Sequence, residues 1–378
     1  MTPSRPTVVV AGLGDTGVLV ATRLARTCRV VAITTRPALV SGQELGTRVT
    51  DPGRWRRTYL VPFRRFRRLD AVDVVHGRIL RADLDAALVE VETAEGGSRR
   101  VAYDFLVIAT GVGNGFWRHD RVEDLATIDA AVDDVHRQLA RAATVAVVGG
   151  GSTGVSVADN LARTGHAAVH LFHSGDEPLP DFHPDARRWV VRRLSDDGVI
   201  LHPCHRAVVP DGFHGERLTT DPVEWSTGQP RFTADAVLWA VGATRPYSDF
   251  LPAEVLDADG FVRVDANLRV RGHANVFAVG DVAASDPLRS SARNWGFRVV
   301  VANVRALARG RTGKLTVYKA APYRWGSILG IRPEGLYVVQ PNGKVVRFPR
   351  AVAEPLLLGA FVHRILYGGL RRSGRGPS

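Results

Sequence analysis

The sequence predicts an α/β chain made of two similar halves, and three observations lead there. An apolar run, a glycine-rich turn and a helix-patterned segment follow one another twice, over 7–26 and again over 145–163. Apolar runs of five to seven residues at 103–109, 236–241 and 275–279 have the character of strands buried on both faces. Hydrophobic residues make up 45% of the 378 and aromatics only 7%, a composition suited to a large packed α/β core.

In chain order, residues 7–11 are a β-branched run that ends at Gly12, residues 18–26 carry helical periodicity, and 30–33 is a second apolar run. The turn between the first strand and its helix reads Gly12-Leu13-Gly14-Asp15-Thr16-Gly17. Backbone N–H groups at such a helix start can face a pyrophosphate, and the glycines allow both the tight turn and the close approach of the ligand. The pattern alone is weak; its strand–turn–helix setting strengthens it. The second copy runs through an apolar strand at 145–148, the turn Gly149-Gly150-Gly151-Ser152-Thr153-Gly154, a helix over 155–163 and a strand over 168–172. Two such Rossmann-like units in one chain imply two dinucleotides. A protein holding two dinucleotides usually passes electrons between them, with flavin and nicotinamide as the natural pair.

Such units ordinarily carry an acidic residue about 20 positions past the first glycine, where it accepts hydrogen bonds from the ribose. Neither copy has it. The first ends Thr34-Thr35-Arg36, where the hydroxyls of Thr34 and Thr35 bond a ribose more weakly than a carboxylate would; the second offers His173, and the loss of the carboxylate there removes a repulsion against a 2′-phosphate and leaves both NADH and NADPH open. The plain alternative for His173 is a surface residue at a strand end. Residues 74–79 and 87–93 read as further strands, 315–350 as short strands with a turn at Asn342-Gly343, and 351–370 as an apolar helix that ends in basic residues.

The net charge of +12 comes from arginines spread along the chain without a lysine-rich tail, which argues against a nucleic-acid partner. Seven arginines at 54–68 alternate with Trp55, Tyr59, Phe63 and Phe66, and read as an amphipathic segment with a solvated face. Cys28 and Cys204 stand far apart, so there is neither a CxxC pair nor a metal-ligand cluster, and no metal is expected. Residues 1–7 lack the pattern of a leader and no run reaches the roughly 18 apolar residues of a membrane span, so the expected location is the cytoplasm.

The stretch Tyr103-Asp104-Phe105-Leu106-Val107-Ile108-Ala109-Thr110-Gly111 resembles the strand and turn leading out of the flavin domain in the pyridine-nucleotide-disulfide reductase superfamily. Asn275-Val276-Phe277-Ala278-Val279-Gly280-Asp281 and Ala234-Asp235-Ala236-Val237-Leu238-Trp239-Ala240-Val241-Gly242 resemble two more of its motifs, in the family's order. The resemblance covers roughly residues 7–309 and is greatest to the type II NADH dehydrogenases and the apoptosis-inducing-factor-like quinone reductases, including the ferroptosis-suppressor branch. It implies two Rossmann-like domains: an FAD domain in two pieces, 1–111 and 243–312, with an NAD(P)H domain inserted at 112–242, and a small α+β C-terminal region at 313–378. It implies an FAD site of Gly12, Gly14, Asp15, Thr16, Gly17, Thr34, Thr35, Arg36, Arg48, Thr110, Gly111, Gly280 and Asp281. The NADH or NADPH site it implies is Gly149, Gly151, Ser152, Thr153, Gly154, His173 and Gly242.

The implied activity is reduction of FAD by NADH or NADPH, with electrons then passing to a quinone or similar small acceptor. A ferredoxin-like protein partner, a dedicated biosynthetic substrate, and a nucleotide-binding sensor without turnover are the competing readings. The missing acid at Thr34 lowers the expected affinity for FAD, and so does Asp15 beside the expected pyrophosphate, since an extra anion near phosphate costs energy unless it is turned away or paired. The family's cysteine pair is absent from 43–50, so electrons must leave from the flavin, and no obligatory catalytic side chain is assigned. The tail would rest peripherally on the inner face of a membrane, pack on the body, or pack on a second copy in a homodimer.

Overall fold

The structure, a computed structural model, describes residues 5–41, 45–113, 119–213, 215–241 and 244–371, and not the side chains of 356–361. Its larger sheet begins with β1 (Thr7–Ala11), crosses over through α1 (Asp15–Leu24) and returns in β2 (Arg29–Thr34). The strands β3 (Val72–Asp83), β4 (Leu88–Thr93), β5 (Ser98–Ala102) and β6 (Phe105–Ile108) follow in sequence. A four-stranded sheet then intervenes: β7 (Thr144–Val148), β8 (Ala168–Phe172), β9 (Ile200–His202) and β10 (Ala236–Trp239). The chain returns to the first sheet with β11 (Val276–Ala278).

The large sheet runs β11-β6-β1-β2-β3-β4-β5, parallel as far as β3 and antiparallel beyond it. The smaller runs β9-β8-β7-β10 and is parallel throughout. Parallel strands need crossovers and end up covered on both faces, hence their unbroken apolar runs. In β7 the alternation shows directly: Val145 and Val147 join one core and Ala146 and Val148 another on the opposite face. Strand β3 extends further than the expected 74–79 because its outer half pairs antiparallel with β4 in a hairpin, with a register shift between Ile79 and Arg81.

The remaining helices that bear on the site are α2 (Leu45–Thr50), α3 (Leu125–Arg141), α4 (Ser152–Ala162), α5 (Pro184–Asp196) and α6 (Gly296–Leu307). Beyond α6 a small antiparallel sheet, β12 (Ile331–Arg332), β13 (Gly335–Val339) and β14 (Val345–Phe348), turns at Asn342-Gly343 as expected, with Gly343 at φ +83°. The tail departs from an ordinary α-helix: Ala353–Leu366 is wound with π-helical spacing, and Tyr367 N donates to Val362 O at 2.9 Å. It then lies on the arginine-rich segment, with Leu370 bridging Phe66 and Arg371 N donating to Arg65 O at 2.8 Å. In that segment Trp55 and Phe66 are fully buried while Arg57, Arg64, Arg67 and Arg68 face solvent, the amphipathic arrangement its pattern predicts. No helix among the described residues is long and apolar enough to cross a membrane.

Candidate functional site

Where β1 ends, Gly12 N donates to Ile33 O at 2.8 Å and the chain turns away from the sheet at φ +94°. A Cβ on Gly12 would stand 2.6 Å from Ala109 O, and one on Gly17 only 1.9 Å from Gly12 O, so both positions exclude a side chain for packing reasons. Gly14 differs. It caps α1 in extended backbone with no side-chain cap, and a Cβ there would meet nothing within 4 Å. That opening lies over the first-turn N–H groups of α1, which a helix leaves without intrahelical partners.

The second turn repeats the arrangement. Gly149, at φ +127°, would place a Cβ 2.4 Å from Ala240 O; Gly154 would place one 1.9 Å from Gly149 O; Gly151 caps α4 uncapped by any side chain, with nothing within 4 Å. Each turn thus pairs two glycines required by packing with one that keeps space in front of a helix N-terminus. A helix start of this shape suits a phosphate or pyrophosphate. Ser152 and Thr153 form the first turn of α4 behind it.

The other expected residues gather at the same edge of the large sheet, beyond the carboxyl ends of its parallel strands, where ligands of open α/β sheets bind. Gly280 follows β11 at φ +94° and approaches Thr16, whose Oγ1 would lie 3.7 Å from a Cβ there; Asp281 is next in the chain and half-buried. Gly280 N donates to Ser291 Oγ at 2.9 Å. Thr110 and Gly111 follow β6, but the Thr110 hydroxyl donates to Tyr247 O at 2.6 Å, so it ties two chain crossings together. Arg48 is buried on α2 with its guanidinium 5.1 Å from the centroid of Trp55. Helix α2 packs onto α4, Gly46 N donating to Ser156 Oγ at 3.2 Å, and so links the neighbourhoods of the two turns. Gly242 lies outside the described residues.

Three expectations need correcting. Asp15 does not stand bare beside the first turn: Ser41 Oγ donates to its Oδ1 at 3.0 Å and Tyr367 OH at 3.3 Å. The Thr34 hydroxyl is engaged in its own turn, donating to Arg36 O at 3.1 Å and accepting from Arg36 N at 3.3 Å. His173 is not a surface residue; it is 5% exposed, packed on Gly150, with Nδ1 2.7 Å from Gly175 O. Burial pulls its pKa down, partly opposed by that hydrogen bond, so the ring is neutral near pH 7.

The motifs gave no hint of Glu123. It is buried near the end of β2, between Arg36 Nε at 2.8 Å and His119 Nε2 at 2.9 Å. Burial pushes its carboxyl up, but hydrogen bonds from His119 and Arg36 outweigh this and hold it below the usual range, so it is ionised at neutral pH. No sequence spacing signals it, because it reaches the strand end from a loop.

A family model described as pyridine nucleotide-disulphide oxidoreductase matches residues 6–305. The chain is 28% identical over 226 residues to the oxidoreductase ptaL of Pestalotiopsis fici, covering 57% of this chain and 58% of that protein. It is 25% identical over 352 residues to the type II NADH:quinone oxidoreductase Ndh of Mycobacterium tuberculosis, covering 82% and 74%. The water-forming NADH oxidase from Lactobacillus brevis, solved with NADH, has the same fold, with a TM-score of 0.61 at 19% identity over 88% of this chain and 74% of that one. The chain therefore spans less than two thirds of the length of the first of these relatives.

Proposed function

The chain belongs to the pyridine nucleotide-disulphide oxidoreductase family, and from that membership we propose that it is a flavin-dependent NAD(P)H oxidoreductase. FAD takes the first turn, NADH or NADPH the second, and a quinone or similar small molecule receives the electrons. The observation that carries this reading is the division of labour among the glycines, the same at Gly12, Gly14 and Gly17 as at Gly149, Gly151 and Gly154. One such turn suits many nucleotide-binding proteins; two, on two parallel sheets of one chain, suit a protein that brings two dinucleotides together.

The residues fit both groups. Gly14 and Gly151 leave open the space a pyrophosphate needs, and the uncapped helix starts behind them supply N–H donors. Ser41 and Tyr367 hold the Asp15 carboxylate by its Oδ1, which moderates its repulsion of a nearby phosphate. Gly280 and Asp281 would meet the part of FAD that runs out from the first turn, with Thr110, Gly111 and Arg48 around it. On this reading the FAD domain is 1–111 with 243–312 and the nicotinamide domain 112–242. A neutral His173 at the second ribose neither repels nor attracts a 2′-phosphate, so both donors are accepted. When bound, the flavin accepts hydride from the nicotinamide and passes electrons on, chemistry that asks the protein for positioning and exclusion of water. Cys28 is buried and Cys204 exposed, and neither forms a disulfide, so the chain supplies no dithiol relay of its own.

A crossover of two variants tests the assignment. Gly14→Ala should lose flavin uptake and keep NADH binding; Gly151→Ala should keep its flavin colour and lose NADH binding, each by at least about tenfold, since a methyl there displaces a phosphate from its donors. If either variant loses both ligands, or neither, the assignment fails. Turnover with ubiquinone or menaquinone analogues checks the acceptor, and turnover with a ferredoxin alone would replace it.

A further inference from the structure

An adenine dinucleotide at the first turn places its adenosine ribose near the end of β2, where a carboxylate ordinarily receives the hydroxyls. The sequence offers Thr34 there, and its hydroxyl is already committed to Arg36. A carboxylate arrives from elsewhere. Residues 119–123 cross the end of β2, and Glu123 N donates to Thr35 O at 2.9 Å. His76, on the neighbouring β3, braces the crossing with Nε2 at 3.2 Å from Thr35 O and 3.1 Å from Glu123 O. The Glu123 carboxylate is 8% exposed and meets Arg36 through Oε2 and His119 through Oε1. Arg36 NH2 in turn donates to His119 O at 2.9 Å, so the three side chains form one braced unit.

We propose that Glu123 is the ribose-reading carboxylate of the first site, supplied by a loop in place of the acid missing from the strand. A carboxylate accepts at about four positions and two of these are taken, which leaves capacity for a ribose hydroxyl. Among the described residues His119 Nδ1 is buried without a hydrogen-bond partner, a further polar atom of the same unit that a bound hydroxyl would satisfy. Arg36 and His119 orient Glu123 and offset part of its charge, so it can stand near a dinucleotide without the cost of a bare anion. The chain thus keeps the ribose contact while losing the motif residue that usually announces it.

The inference rests on FAD binding at the first turn, and the experiment separates the two. Flavin fluorescence titrations with FAD and with FMN, which has no adenosine, are run on the wild type and Glu123→Gln. An FAD analogue lacking the adenosine ribose hydroxyls is titrated alongside. The expected result is a loss of FAD affinity of roughly 10- to 30-fold in the variant, the scale of a hydrogen bond to a charged group, with FMN binding unchanged. The analogue should bind the wild type about as weakly as FAD binds the variant, and the variant should not distinguish it from FAD. Equal losses for FAD and FMN would make Glu123 a structural brace and overturn the inference, as would no loss at all. Should Glu123→Gln fail to fold, the wild type still decides: an analogue bound as tightly as FAD overturns the inference. A wild type that takes up no FAD overturns the first-turn assignment itself.

Discussion

At Gly17 and Gly154 a methyl group would stand 1.9 Å from a backbone carbonyl oxygen, while at Gly14 and Gly151 it would enter open space. Alanine should therefore act in two ways within one motif. Gly17→Ala and Gly154→Ala should lower unfolding free energy in urea by about 3 kcal/mol or more, because backbone rather than a flexible side chain has to move. Gly14→Ala and Gly151→Ala should cost only about 1 kcal/mol, the price of a poorer helix cap, and show their effect on ligands. Equal destabilisation at all four positions would contradict this. The glycines were legible in the sequence because each answers a backbone demand no other residue meets. Glu123 was not, since its meaning comes from where residues 119–123 cross β2, and the Thr34 hydroxyl was misjudged because a local turn competes for it.

Among the elements, the strands buried on both faces were the most legible, since a parallel sheet under helices leaves an unbroken apolar run, as at Phe105–Ile108 and Ala236–Trp239. The edge of the smaller sheet was less so. There His170 on β8 and His202 on β9 share a hydrogen bond, Nδ1 to Nε2 at 2.9 Å, and His202 stacks on Phe172 at 4.2 Å between ring centroids. Burial first, then the neighbouring histidines His170, His205 and His173, bring the His202 pKa down to about 4. The folded ring stays neutral over a range in which the unfolded chain takes up a proton near its ordinary value of about 6.5. Stability from this group is thus present above pH 6.5 and lost as pH falls toward 4. Urea midpoints measured across that window should decline less steeply in His202→Gln than in the wild type; parallel declines would show that His202 does not titrate as described.

Over the whole molecule, the C-terminal region touches both halves. Ile328, Leu329 and Val339 join the core of the smaller sheet, whereas Tyr318 and Tyr367 join that of the larger. The first attachment is fastened by Arg332, 4% exposed, which meets Asp159 of α4 at 2.6 Å, Asp197 at 2.7 Å and Glu334 at 3.0 Å. Burial raises Asp159 to about 6 despite the attraction of Arg163 and Arg332. The folded chain therefore holds a proton between about pH 4 and 6 that the unfolded chain releases, and stability from this group drains as pH rises through that range. Arg332→Met leaves the Asp159 carboxylate with less compensation. It should cost about 3–5 kcal/mol at pH 8 and clearly less at pH 5, where Asp159 takes up its proton. A loss independent of pH would mean the ion network matters only as packing. Little of this was legible in the sequence, since Arg332 is one arginine among many and two of its partners, Asp159 and Asp197, lie more than a hundred residues earlier.

The most direct measurement is an anaerobic titration of the FAD-loaded chain with NADH and then NADPH, followed at the flavin absorbance band. Two dinucleotides held at two such turns with their rings together predict that the band bleaches in step with added donor, approaching completion near one equivalent. A chain that holds FAD firmly and keeps its full colour with an excess of either donor would contradict it.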